Sequence, residues 1–307
     1  MEIFFQQIIN GLVQGSVYAL VALGYTMVYG ILGLINFAHG EVVMVGAMLA
    51  LSSLTALLGL GVPPLLAFPL SMAIAMAGCM ALGYSIERVA YRPLRHAPRL
   101  APLITAIGIS IVLQNLAMMI WGREYHSFPQ LIANETHSIG GAIISDIQIA
   151  IFVAALFIMA GLLVVVHRTR LGRAMRAVSE NQHAAQLMGV DINRVISVTF
   201  MLGSGLAAVA GLMVSANYGL AHYYMGFLLG LKAFTAAVLG GIGNLRGAML
   251  GGLLLGLIES LGAGYIGDLT GGFMGSNYQD VFAFFVLIAV LVFRPSGLLG
   301  ERIAERA

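Results

Sequence analysis

The 307 residues include 15 Lys and Arg and 13 Asp and Glu, so charged side chains make up 9% of the chain and hydrophobic ones 60%. An ordinary globular domain is about 25% charged, and a mean hydropathy of +0.95 implies more apolar surface than one water-soluble core can bury. Lipid must be the solvent for most of the molecule, and a formal net charge of +2 is too small for a nucleic-acid binder.

The charged residues fall in short stretches. Between them lie apolar runs of about 20 residues, the length that crosses a hydrocarbon core. The chain starts MEIFFQQIINGLVQG, with an acid at Glu2 and no base. It lacks the basic n-region of a secretory signal, so the first run is expected to be a retained membrane helix. In chain order the runs lie at roughly 8–30, 41–61, 64–86, 101–121, 147–167, 195–216, 229–243, 247–266 and 280–293. The run at 229–243 is short and broken by glycine. The expectation is therefore an all-α, polytopic transmembrane helix bundle with 8–9 spans and Gly-interrupted or re-entrant segments. Residues 1–307 are expected to form a single membrane domain with no soluble domain appended.

Basic residues orient such a chain, because Lys and Arg accumulate on cytoplasmic loops. One basic loop carries Arg88, Arg92, Arg95 and Arg99; a second, about 168–194, carries Arg168, Arg170, Arg173, Arg176 and Arg194; the tail adds Arg302 and Arg306. All three are expected to face the cytoplasm. The stretch 122–146, with one Arg and three acids, faces the other side. Nine spans then place the N-terminus outside, and eight require one segment to re-enter. The single Cys79 excludes an intrachain disulfide.

Small residues recur at four-residue spacing. Gly11, Gly15 and Ala19 share one helix face, as do Gly203, Ala207, Gly211 and Ser215, and Gly243, Gly247 and Gly251. Such faces let helix backbones approach closely in lipid, and packing is their ordinary meaning. Two segments differ. GYTMVYGILGLINFAHGE at Gly24–Glu41 and LGGIGNLRGAMLGG at Leu239–Gly252 set glycines and polar residues between apolar runs, one in each half of the chain. Broken hydrophobic segments in corresponding halves point toward a solute pathway, since they expose backbone groups to a cavity.

Candidate pathway or gating residues follow from these breaks. Asn36, His39 and Glu41 lie within six residues at the first break; they serve either as caps and loop hydrogen bonds or as pathway lining. Gly241, Gly243 and Arg246 mark the second break. Glu259 sits some twelve residues into its span, where a carboxylate costs about 2.5–3.5 kcal/mol and is a functional candidate by default. It is expected to face the bundle interior, protonated or paired. Lys232, the only lysine, reads as a snorkelling side chain. Gln114 and Asn115 read as interhelical hydrogen-bond partners or, alternatively, as contacts for a polar solute.

Several absences narrow the chemistry. No GxxxxGK[ST] phosphate loop occurs, no Arg ladder of a voltage sensor and no TVGYG-like filter. No metal-spaced histidines, paired carboxylates or Ser/His/Asp arrangement stand out, so neither a metal site, a cofactor nor a catalytic residue is expected.

The second basic loop is the most informative soluble piece. RTRLGRAMRAVSENQHAAQLMGVDINRVI reads as two short helices joined around Ser179–Asn181, with Ser179 able to cap the second. Ala184, Leu187 and Met188 give that helix an apolar stripe, and Gly189 ends it in C-cap fashion. A stripe of this kind suits docking into a partner's groove; the alternative is an amphipathic helix lying on anionic lipid.

HAAQLMG at His183–Gly189 resembles the EAA-xxx-G coupling loop of ATP-binding-cassette permeases, with His183 in place of the acid. GYTMVYGILGLINFAHGE, SIERVAYRPLR at Ser85–Arg95, LKAFTAAVLGGIGNLRGAMLGG at Leu231–Gly252 and RPSGLLG at Arg294–Gly300 follow in order. Together they resemble the permease subunits of bacterial high-affinity branched-chain amino-acid ABC transporters of the LivH type, along essentially the whole chain.

The resemblance implies a multi-pass permease subunit of the bacterial inner membrane, not an enzyme. It would work with a second, non-identical permease, two cytoplasmic ATPase subunits and a periplasmic binding protein delivering Leu, Ile or Val. By analogy with the coupling loop, Gly172, Glu180, Ala184, Ala185, Leu187 and Gly189 would form the ATPase contact. Two alternatives stay open: a related permease for urea, amides or a sugar, and a stand-alone secondary carrier or channel.

Overall fold

The computed structural model describes residues 2–95, 97–98, 100–129, 135–273, 275 and 278–300; Arg99, Arg302 and Arg306 lie outside them. Nine apolar helices account for most of the described chain. They are α1 (Glu2–Leu32), α2 (His39–Gly59), α3 (Pro64–Ile86), α4 (Leu100–Trp121), α5 (Asp146–Arg168), α8 (Ile192–Tyr218), α9 (Met225–Gly240), α10 (Leu245–Leu269) and α11 (Gln279–Phe293). A π-helical turn, Glu87–Tyr91, extends α3. The short helices α6 (Arg170–Glu180) and α7 (Gln182–Leu187) fill the loop between α5 and α8. Two small antiparallel pairs complete the list: β1 (His126–Ser127) with β4 (Leu220–Ala221), and β2 (Thr136–Ile139) with β3 (Ala142–Ser145).

Seven of the helices are long and apolar enough to cross a membrane, which makes the chain a polytopic helical membrane protein. Helices α9 and α11, of 16 and 15 residues, are shorter apolar helices. All nine fall on the runs read from the sequence.

Local chemistry sets the helix limits. Ser145 and Gln148 form a reciprocal capping box at the start of α5. Asp191 and Asn244 accept hydrogen bonds from the free N–H groups opening α8 and α10. Gly33, at φ +65°, closes α1.

Helices α1 and α8 are buried over most of their length and form the centre. The small-residue faces make this possible. Gly11 and Gly15 of α1 lie on Gly252 and Gly256 of α10, so closely that a Cβ on Gly15 would stand 2.9 Å from the Gly252 carbonyl. Gly211 of α8 sits on Val43 and Ala47 of α2, and Gly40 of α2 on Gly226 and Gly230 of α9. Backbone proximity replaces the hydrophobic drive that lipid does not supply.

The contacts also order the two ends of the bundle. At one end, Gln6 exchanges hydrogen bonds with Ile143 in the β2–β3 hairpin, and β1 ties the exit of α4 to the exit of α8. At the other end, Gln182 reaches the last turn of α1, Arg95 reaches Asn193 at the start of α8, and Leu298 and Leu299 bond the end of α9. The described basic residues of both loops and Arg294 thus gather at one end, and the acidic stretch lies at the opposite one.

Candidate functional site

The first break builds a buried polar cluster. Asn36 Oδ1 accepts hydrogen bonds from the Ala38 N–H and from the Tyr91 hydroxyl, both at 3.1 Å. That fixes the chain as it turns from α1 into α2. His39 is buried, its ring edge-on to Tyr25 at 4.8 Å. It fills the space that the missing side chain of Gly24 leaves. Its Nε2 has no partner. Glu41 is 1% exposed. Its Oε1 accepts from Gln114 Nε2 at 2.6 Å and from Ser110 Oγ at 3.2 Å, both on α4. Its Oε2 has no hydrogen-bond partner and faces Gly226 in the first turn of α9. No cation pairs with Glu41 among the described residues.

A second cluster lies on the same helix α9, six residues on, or about 9 Å along its axis. Lys232 Nζ stands 3.2 Å from Glu259 Oε1 and 2.7 Å from Asp280 Oδ1. Tyr18 Oη donates to Glu259 Oε2 at 2.8 Å, and Gln14 Nε2 donates to the same oxygen at 3.1 Å. Side chains from α1, α9, α10 and α11 meet here. Beside them is a cavity of about 40 Å³ lined partly by Gln14, Tyr18, Asn217 and Tyr218, room for water rather than for an amino acid. Lys232 therefore does not snorkel: two carboxylates in reach hold its ammonium inside the bundle, and Glu259 is paired.

The second break is a turn. Gly241 and Gly243, at φ +105° and +99°, reverse the chain between α9 and α10. Asn244 caps α10 and donates to the Leu299 carbonyl. Arg246 is exposed and forms no ion pair among the described residues; its backbone N–H joins the Asn244 cap. Thirteen residues of helix, about 20 Å, separate Arg246 from Glu259. Arg246 and Glu259 therefore do not share a site, whereas the second break lies beside the first segment, where a Cβ on Gly30 would stand 3.6 Å from the Gly243 carbonyl.

The loop helices follow the expected division with one correction. Asn181, not Ser179, caps α7, accepting from the Ala184 N–H at 2.9 Å. The Ser179 hydroxyl instead donates back to the Arg176 carbonyl within α6, where a helical serine competes for a local acceptor. Gly172 presses on the Val165 and Val166 carbonyls at the end of α5. Ala185 is buried, whereas Leu187 and Met188 are 76% and 85% exposed; Ala184 and Glu180 are exposed as well. Gly189, at φ +84°, completes a Schellman ending in which Val190 N–H donates to Ala185 O and Gly189 N–H to Gln186 O.

The sequence profile described as "Branched-chain amino acid transport system / permease component" matches residues 7–291. The chain belongs to this permease family. BraD of Pseudomonas aeruginosa, a high-affinity branched-chain amino acid transport system permease protein, is 49% identical over 311 residues, covering 99% of this chain and 98% of BraD. LivH of Escherichia coli K12, of the same description, is 44% identical over 310 residues, covering 99% and 97%. The fructose import permease protein FruG of Bifidobacterium longum is 26% identical over 257 residues, covering 79% and 71%. No solved structure matches the chain.

Two features of this permease escaped the sequence reading, and a third reading held for only one of its two residues. Glu87 sits in the π-helical turn, fully buried, held by Arg95, by Arg92 at 3.7 Å and by Ser197 Oγ at 2.7 Å. A lone acid before three arginines was the available signal. Asp280, read only as the edge of a span, completes the pair around Lys232. Gln114 does bridge helices, but among the described residues Asn115 bonds to Ile111 O in its own helix, because the next residue round the helix is exposed.

Proposed function

We propose that this chain is one membrane subunit of an ATP-driven importer of leucine, isoleucine and valine in the bacterial inner membrane. The observation that carries the reading is near full-length identity, at 49% and 44%, with two permeases named for high-affinity branched-chain amino acid transport. Identity with the fructose permease is 26%.

The sequence contains no nucleotide-binding loop, so the work must come from partners: two cytoplasmic ATPases, with a second, non-identical permease beside this one and a periplasmic binding protein delivering solute. The chain crosses nine times, counting α9 and α11, with its N-terminus outside and its basic loops inside. Helix α7 docks into an ATPase groove through Ala184, Leu187 and Met188. Gly172 seats α6 against α5, Glu180 stands at the α6–α7 junction, Ala185 anchors α7 to the bundle, and Gly189 closes it. When the ATPases close, the α6–α7 pair moves as a lever and the bundle changes between two packings.

The gate is the first break. The orphan Nε2 of His39 and Oε2 of Glu41 are costly while dry and gain partners when the pathway hydrates. Asn36 holds the turn, Glu259 in its ion pair forms a fixed wall, and Gly241, Gly243 and Arg246 edge the cytoplasmic mouth. The solute's apolar side chain passes small and apolar residues, while its charged ends meet the dipoles of helix ends such as the start of α9.

Uptake of labelled leucine by proteoliposomes of the full complex, challenged with unlabelled leucine, urea or fructose, tests the substrate. Leucine should compete and the others should not; competition by urea or fructose without leucine overturns it. Flux through the purified chain alone, without ATPases, would instead identify a stand-alone carrier or channel.

A further inference from the structure

The docking helix α7 and the α1–α2 break are tied by one side chain. Gln182, the first residue of α7, extends its amide to donate a 3.0 Å hydrogen bond to the Ile31 carbonyl. Ile31 lies in the last turn of α1, whose final carbonyls have no partner within the helix. Two residues later Gly33 leaves helical geometry. Three further on, Asn36 accepts a hydrogen bond from the Tyr91 hydroxyl. The turn leading to His39 and Glu41 is therefore pinned from two sides, from the packed core and from α7. One pin, Tyr91, belongs to the packed core, where it is 1% exposed. The other rides on a six-residue helix whose outer face is bare.

We infer that Gln182 is a positioning residue that passes the movement of α7 to the α1–α2 break, an inference that rests on the importer reading above. A shift of α7 by a couple of ångströms takes a 3.0 Å bond out of range, since such bonds end near about 3.2 Å. The last turn of α1 then loses its cap, and the turn carrying Asn36 keeps only its ties to the packed core, the Tyr91 hydroxyl on Asn36 and the Phe37 ring on Phe234. Return of α7 restores the cap. Other contacts of α7 with the bundle, such as the buried methyl of Ala185, hold the helix in place without reaching this carbonyl.

The test uses the complete complex in proteoliposomes, with Gln182→Leu and Gln182→Glu, which lack the donor, and Gln182→Lys, which keeps one. ATPase co-purification and basal ATP hydrolysis should match the parent in all three. Leucine taken up per ATP should fall roughly fivefold to tenfold in the first two, the scale of one lost hydrogen bond, and return most of the way in Gln182→Lys. Unchanged uptake per ATP in Gln182→Leu overturns the inference, as does equal impairment of all three variants, which would mark Gln182 as a space filler. A parent complex without ATP-driven leucine uptake would instead remove the reading on which the inference stands.

Discussion

Two buried carboxylates sit on either side of the same stretch of α9, and they are treated in opposite ways. Glu259 has a lysine at 3.2 Å and hydrogen bonds from Tyr18 and Gln14. Glu41 has only neutral donors, Ser110 and Gln114, on one oxygen and none on the other. Both are 1% exposed, so burial alone does not separate them; compensation does. An acid with a counter-charge and filled hydrogen bonds locks four helices together. An acid without them is a place where the packed state is only one of the acceptable ones. In a protein that must alternate between states, the first belongs to the frame and the second to the part that moves.

The sharpest way to break this comparison is to remove the counter-charge. Lys232→Met leaves Glu259 and Asp280 facing each other without a cation, and breaking a buried pair from one side costs about 3–5 kcal/mol. The purified variant should melt far below the parent or fail to accumulate. Adding Glu259→Gln should recover part of that loss, the signature of a coupled pair in a double-mutant cycle. Additive losses would show that the frame does not depend on the ion pair.

A smaller effect is expected where α2 crosses α9, between the two acids. A Cβ on Gly40 would lie 2.6 Å from the Gly226 carbonyl and 2.8 Å from the Gly230 Cα. Gly40→Ala must push α9 outward at a cost of about 1–3 kcal/mol. Because Glu41 follows directly, this should lower uptake more than melting temperature. A variant with parental uptake would show that the crossing does not govern the gate.

How much of this was legible beforehand depends on the range of the interaction. The nine apolar helices, the small-residue faces of α1 and α8 and the ending at Gly189 are written in local spacing and were readable; the face read through Gly243, Gly247 and Gly251 was not one, because Gly243 at φ +99° lies in the turn before α10. The buried position of Glu259 followed from its depth in a span. Its partners did not, because Lys232 and Asp280 come from other helices and no local pattern says which will meet. Ser179 and Asn181 show the same limit at short range. Both can cap a helix, and the choice was decided by where α6 ended. Glu87 was hidden by its arginine-rich neighbours, which read as a solvated loop.

The finest test neutralises Glu41 and leaves its shape. In Glu41→Gln the Oε1 acceptor for Ser110 and Gln114 remains, and an amide replaces the oxygen that has no partner. The Glu41 carboxyl has no counter-charge to lose, so stability should change by less than about 1 kcal/mol, within the net worth of one hydrogen bond, and melting should hold or rise. Leucine uptake should nonetheless fall, since the amide cannot offer the solute's ammonium or entering water a second acceptor. A stabilised but slower permease is the pattern expected where a strained group is kept for function. Were Glu41→Gln to melt as early as Lys232→Met, the two acids would both belong to the frame, and the moving part would have to be sought elsewhere in the bundle.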